Sequence, residues 1–193
     1  MLNGNFVYLG VAIFSIGGIS YLIDTLRGKV QPNKVTWLLW AISPLVAFAA
    51  EIVQGVGLIS LTTFIAGFLP LLIFMASFVN KKSYWKLTKF DYVCGGLSLL
   101  GLLLWYLTRS GNIAIIFSLL ADFLAATPTF IKAFRSPESE SAKAFFLVTL
   151  GSCVSFLTIA TWTFANYAFP AYLVLSDLTL FVLIYFKVGK RAN

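Results

Sequence analysis

Residues 112–135 read NIAIIFSLLADFLAATPTFIKAFR. The stretch stays apolar for most of its length and then meets Lys132 and Arg135. The hydrocarbon core of a bilayer is ~30 Å thick, and about 20 apolar residues of helix cross it. The spacing predicts a membrane-spanning helix over 112–134 whose basic end emerges at a membrane face. One carboxylate, Asp122, interrupts it about halfway along. Ser118, Ala125, Ala126 and Thr129 share its face by the i±3 and i±4 rule, which gives a small, polar stripe on an otherwise apolar helix.

Six further runs of the same kind surround this one, over 5–26, 35–54, 57–79, 91–108, 143–165 and 168–187. The expected fold is therefore an all-α membrane protein of seven transmembrane helices. Composition agrees: hydrophobic residues make up 60% of the 193 residues and charged residues 11%, with a mean hydropathy of +0.91. A soluble domain carries about 25% charge. Two joints are short: Gln54-Gly55-Val56-Gly57 between helices 2 and 3, and Tyr167-Ala168-Phe169-Pro170 between helices 6 and 7. Glycine and proline are the residues a hairpin there would use.

Charge gives an independent reading of the same count. The joint after helix 1 holds Arg27, Lys29 and Lys34. Lys81, Lys82, Lys86 and Lys89 follow helix 3, Lys132, Arg135 and Lys143 lie around the joint after helix 5, and Lys187, Lys190 and Arg191 close the chain. That is thirteen of the fourteen basic residues on alternate joints, with Arg109 alone on the other side. The positive-inside rule then puts the N-terminus outside and the C-terminus in the cytoplasm. The net charge of +7 is read as topology, not as a nucleic-acid surface. The first residues, MLNGNF, lack the basic start of a cleavable signal peptide. Cys94 and Cys153 fall inside helices and read as small buried side chains.

The longest polar stretch, 80–91, carries Tyr84 and Trp85, which suit the headgroup zone. It divides the chain into a first three-helix unit (1–80), a connector with helix 4 (81–110) and a second three-helix unit with a basic tail (111–193). Both triplets read helix, basic loop, helix, tight turn, helix. An offset of 108 residues lays Arg27 on Arg135, Phe48 on Phe156 and Leu72 on Leu180 without gaps, but such identities are as few as a hydrophobic composition gives by chance, and the repeat rests on the matched lengths. A three-helix unit crosses an odd number of times, so helix 4 restores the parallel orientation of a second copy. Parallel repeats occur in transporters that hold substrate between the repeats near the midplane. Helix 4 carries Gly95, Gly96, Ser98 and Gly101, which allow close backbone packing.

A charged side chain inside a bilayer costs about 2.5–3.5 kcal/mol on insertion scales, so each one asks for a reason. Asp24, Asp91, Glu138 and Glu140 lie near loops and read as solvated neighbours of the basic residues. Asp122 and Asp177 lie midway along helices 5 and 7, and Glu51 lies near the outer end of helix 2. No basic residue shares the depth of either aspartate. The three read as a proton- or cation-linked site, as hydrogen-bonding groups for a substrate, or as helix-packing residues. Pro44, Pro70 and Pro128 each remove a backbone hydrogen bond inside a helix and read as hinges or as static kinks. At least one of Trp37 and Trp40, at the cytoplasmic start of helix 2, reads as part of an aromatic belt. Trp162, Thr163, Asn166 and Tyr167, near the outer end of helix 6, read either as belt or as a site for a sugar or planar ring. The chain has no histidine, which excludes histidine-based hydrolases and a Ser/His or Cys/His pair. No lysine sits midway along helix 7 to form a retinal Schiff base.

Ala126-Thr127-Pro128-Thr129-Phe130-Ile131-Lys132, followed by Arg135 and a polar loop, resembles the Pro-Gln motif at the cytoplasmic end of helix 5 in the SWEET and PQ-loop transporter superfamily. Thr129 stands where that motif has glutamine. Ser20-Tyr21 occupies the corresponding place in the first triplet, and Ser152 aligns with Pro44. The stretch Gln31-Pro32-Asn33-Lys34-Val35-Thr36-Trp37-Leu38-Leu39-Trp40, with 122–140, is similar to a bacterial branch. The three-one-three helix plan resembles the superfamily along the whole chain. The resemblance implies alternating-access transport of a small polar solute (sugar, amino acid or vitamin) across a bacterial cytoplasmic membrane. Some members couple to protons through an aspartate, and related PnuC-type vitamin transporters use tryptophans around a nucleoside. The implied site lies between the triplets, with Asp122, Asp177, Trp162, Asn166 and Glu51 as substrate- or proton-binding residues and Pro44, Pro128 and Pro70 as hinges. The expected partners are a small-molecule substrate and the lipid bilayer, with no nucleic acid, metal or cofactor, and the oligomeric state is left open. Relatives that recognise retrieval peptides imply the alternative of a non-transporting receptor or scaffold. An intramembrane enzyme is the third reading.

Overall fold

The protein is described by a computed structural model covering residues 2–79, 85–108 and 111–191. These residues form helices and turns, with no strand among them. The helices are α1 (Phe6–Leu26), α2 (Lys34–Val53), α3 (Ser60–Ala76), α4 (Lys89–Thr108), α5 (Gly111–Arg135), α6 (Ala142–Phe156), α7 (Phe164–Tyr185) and a short α8 (Val188–Arg191). A 3-10 turn, Gly57–Ile59, leads into α3. The expectations for Lys81, Lys82, Tyr84 and Arg109, and for the surroundings of positions 98 and 101, lie outside the described residues.

Five of these segments are long and apolar enough to cross a membrane: Phe6–Leu26, Lys34–Val53, Gly57–Ala76, Gly111–Arg135 and Phe164–Tyr185; α6 is apolar but shorter. Among the described residues, large apolar side chains face outward on every one of the seven long helices. Ile16 and Ile23 on α1, Leu120 and Phe123 on α5, and Leu175 and Leu178 on α7 all face outward. The interior instead holds Thr36, Ser43, Thr62, Ser118, Thr129 and Ser152, each fully buried. A soluble fold distributes polarity the other way. This chain is an integral membrane protein.

Local chemistry sets the helix ends. Asn33 caps α2, its Oδ1 accepting from Val35 N at 3.1 Å and Thr36 N at 3.3 Å. Ser141 caps α6 through Ala144 N at 3.4 Å. The joint between α2 and α3 turns on Gly55 and Gly57, both at φ +72°, where a side chain would be strained.

One joint differs from the sequence reading. α6 ends at Phe156 and α7 starts at Phe164. The joint is therefore 157–163, and Tyr167-Ala168-Phe169-Pro170 is helical. Thr158, Ile159, Thr161 and Thr163 are β-branched and resist helix formation. Thr158 also turns its hydroxyl onto Ser155 O at 2.6 Å, a local bond that competes with the helix ladder.

Helix neighbours form a closed order. α3 packs against both α1 and α2, and α7 against both α5 and α6. α1 lies along α6, α2 along α5, and α4 flanks the ring against α5 and α2. The α1–α6 seam depends on small residues. Gly10 faces Gly151 and Ser155, and further along Gly17 faces Ala144 and Val148, so the two helices run antiparallel. Without a hydrophobic force between helices in lipid, close backbone approach and dispersion hold such seams.

A Cβ on Gly151 would run into the backbone of Gly10 and Phe14, whereas nothing lies near a Cβ on Gly96 of α4. Gly151→Ala is expected to lose about 1–3 kcal/mol of stability, read as a lowered melting temperature in detergent, while Gly96→Ala holds or gains. Equal melting of the two variants would contradict the seam.

Candidate functional site

A cavity of about 60 Å³ sits inside the ring of six helices. Each of α1, α2, α3, α5, α6 and α7 contributes to its wall. Asp122 and Asp177 both line it, as do Pro44 and Pro70. The rest of the wall is chiefly aromatic and aliphatic, with Phe14, Tyr21, Trp37, Trp40 and Phe145 supplying rings.

Asp122 is 3% exposed. Its Oδ2 accepts a hydrogen bond from the Tyr172 hydroxyl at 2.8 Å. The Trp40 indole lies beside the same carboxyl without closing a hydrogen bond, so Asp122 Oδ1 and Trp40 Nε1 both lack a partner. Asp177 lies within electrostatic reach of Asp122. Two carboxylates in one apolar chamber repel when both are charged, and a proton or a cation in the chamber relieves that repulsion. Two members of the Asp122 stripe serve packing: Thr36 Oγ1 of α2 donates to Ala125 O at 2.7 Å, and Thr129 Oγ1 donates to Thr36 Oγ1 at 3.2 Å.

A second polar cluster lies where α1 and α5 end and α2 and α6 begin. Lys132 Nζ stands 2.6 Å from Glu140 Oε1, and both side chains are almost fully buried. The Tyr21 hydroxyl donates to Glu140 Oε2 at 2.6 Å, which ties the cavity wall to the ion pair. Lys132 Nζ also donates to Gln31 O and lies 4.9 Å from the centre of the Trp85 ring. Gln31 N donates to Ser139 O at 3.0 Å, joining the two basic loops directly. Beside them Asn33 Nδ2 donates to Asp91 Oδ1, and Thr88 N and Oγ1 both donate to Asp91 Oδ2 at 2.5 Å.

This cluster corrects the reading of Asp91 and Glu140 as solvated: they are 2% and 6% exposed. The loops fold inward over Lys132, and an ammonium group held there needs anionic and carbonyl partners. Trp37 and Trp40 likewise belong to the cavity wall and not to an interfacial belt. They stand edge to face at 5.2 Å, and Tyr21 lies 4.5 Å from Trp37.

Other expected site residues lie elsewhere. Trp162 is exposed in the joint after α6, against Phe156 and Tyr167. Asn166 belongs to α7, bonds Thr163 Oγ1 at 2.7 Å, and borders a separate hollow of about 410 Å³ with Gln54 and Thr158. Glu51 is buried near the same end, its Oε1 accepting from Thr63 at 3.0 Å. Pro128 is buried in α5 outside the cavity wall. Tyr172 carried no sequence signal beyond residue type, and Lys132 and Tyr21, read at the motif positions of the two triplets, carried none that marked them as partners of Glu140. The offset that lays Gln31 on Ser139 could have pointed to the meeting of the loops.

The class these features define is an all-helical integral membrane protein with a central, largely apolar chamber that holds two carboxylates. No protein-family model, curated protein or solved structure matches the chain.

Removing one member of a buried ion pair strands the other charge, at a cost of about 3–5 kcal/mol. Glu140→Ala is expected to lower thermal stability by that order, and Lys132→Met combined with Glu140→Gln to recover most of it. A double variant as unstable as Glu140→Ala would contradict the pairing.

Proposed function

We propose that the chain is a transporter of a small polar solute that works by alternating access. Two parallel three-helix repeats, α1–α3 and α5–α7, rock about the central cavity with α4 as their linker. The reading has seven spans, an external N-terminus and a cytoplasmic C-terminus, in a bacterial cytoplasmic membrane. It agrees with the resemblance to the SWEET and PQ-loop superfamily.

The observation that carries this reading is a chamber walled by all six repeat helices, holding two carboxylates and tied at one end to a polar latch. Several features support it further. Lys34 opens α2 and Ala142, 108 residues later, opens α6. The cap residues Asn33 and Ser141 keep the same offset, as do Gln31 and Ser139, which touch. The neighbour order within α1–α3 repeats within α5–α7. A two-fold relation of this kind sets the chamber between two equivalent three-helix units that can rock against each other. With the basic loops cytoplasmic, Lys132, Glu140 and Tyr21 form the cytoplasmic closure. The volume of about 60 Å³ is far below the roughly 300–1,000 Å³ of drug-sized pockets, as suits a contracted, occluded state. The aspartates lie midway along their helices, which favours a carrier over an intramembrane enzyme working at one face.

A non-transporting receptor or scaffold on the same fold draws support from that small volume too. Reconstitution in liposomes separates the two. Solute uptake under an imposed pH gradient is expected to fall at least tenfold in Asp122→Asn and Asp177→Asn, with melting temperatures retained. Uptake unchanged in both variants would remove the carboxylates from the mechanism, and no uptake of any solute class would favour the scaffold.

A further inference from the structure

The wall of the central cavity selects among solute classes. Five aromatic side chains line it, and Phe145, Tyr21, Trp37 and Trp40 form a continuous run with successive ring centres 6.0, 4.5 and 5.2 Å apart. Aromatic faces attract cations through their quadrupole, most strongly where water is excluded. Among the described residues no lysine or arginine lines the chamber. Lys132, tied to the wall through Glu140 and Tyr21, is committed to Glu140 and Gln31 O. Two carboxylates therefore face aromatic rings with no basic side chain among them. Asp122 Oδ1 is buried and unpartnered, and so are the indole nitrogens of Trp37 and Trp40.

Competing classes fit this wall less well. A sugar ring brings several hydroxyls, each needing a partner once buried. The polar groups of the wall are few, and the Tyr21 hydroxyl is already bonded to Glu140. A hard metal ion takes about six or more oxygen ligands. No group of three or more His, Cys, Asp or Glu that could hold a metal occurs among the described residues. An anion would meet two carboxylates. A small ammonium head needs only negative charge and π faces, and a hydroxyl on the same molecule could accept from an indole N–H.

From this geometry we propose that the central cavity binds a small organic cation, an ammonium or methylated ammonium head on a short hydroxyl-bearing chain. The proposal rests on the transport reading only in taking the cavity as a solute site. The head sits between Asp122 and Asp177 against Trp40, Trp37 and Tyr21. A cavity of about 60 Å³ holds a head of a few heavy atoms, and a longer chain requires the wall to expand.

Thermal unfolding of the full chain in detergent tests this. The probes are choline chloride and methylammonium chloride, with 3,3-dimethylbutan-1-ol as the uncharged isostere of choline, glucose as a neutral polyol, and sodium chloride at matched ionic strength. A ligand that binds only the folded chain raises its melting temperature with concentration. The expected result is a saturable rise with one or both ammonium salts, at a half-saturating concentration at least tenfold below that of the isostere. That preference should shrink tenfold or more in Asp122→Asn. Where Trp40→Leu folds, it should weaken the cation without strengthening the isostere. Equal shifts with choline and its isostere overturn the proposal, as does a shift with glucose alone or no shift with any probe. Uptake of a neutral solute into liposomes without ammonium binding overturns it and leaves transport standing. Ammonium binding without flux keeps the site and removes transport.

Discussion

Lys132 carries an ammonium group to a place that neither water nor lipid headgroups reach, with 1% of its side chain exposed. A charge so placed persists only when its partners are fixed by the fold. Glu140 supplies the counter-charge, Gln31 O a carbonyl acceptor and Trp85 an aromatic face. Those partners come from the loop after α5, the loop after α1 and the segment ahead of α4. Satisfying one lysine therefore joins segments distant in sequence, and through the Tyr21 hydroxyl it reaches the wall of the central cavity.

The same constraint, that polar groups in lipid find partners inside the protein, organises the rest of the bundle. Thr36 spends its hydroxyl on Ala125 O, which fixes α2 against α5. Glycines let α1 approach α6 until there is no room for a Cβ. With both seams closed, Asp122, Trp37 and Trp40 bring polar atoms without a closed hydrogen bond to the wall of the central chamber. There Asp122 keeps one oxygen on Tyr172 and one unpartnered, next to an indole N–H that also lacks a bond.

Much of the fold could be read from the sequence because the signals were expensive ones. Long apolar runs have few alternatives to helices in lipid, and Asp122 and Asp177 were conspicuous because a carboxylate in such a run asks for a reason. Both line the cavity. Side-chain direction was not legible. Lys132, Glu140 and Asp91 lie close to helix ends, where a charge usually reaches solvent, and only the folding of two loops over them buries them. Trp37 and Trp40 were read by depth alone, whereas helix rotation turns them inward. The end of α6 was misread because hydropathy continues through 157–163, while its β-branched and threonine residues favour turns. Trp162 and Asn166 moved off the expected site with that joint, and Glu51 proved to be held by Thr63 at a distance from the chamber.

Accessibility of Ser176, in the cavity wall on α7, tests the account most directly. The chain would carry Ser176→Cys, with Cys94 and Cys153 replaced by alanine. A membrane-impermeant thiol reagent would be applied to vesicles of each orientation. The account predicts that the native latch blocks labelling from the face of the basic loops, and that combining Lys132→Met with Glu140→Gln opens it. No labelling from that face with the latch removed, or equal labelling from both faces with it intact, would contradict a central chamber closed by the Lys132–Glu140 pair.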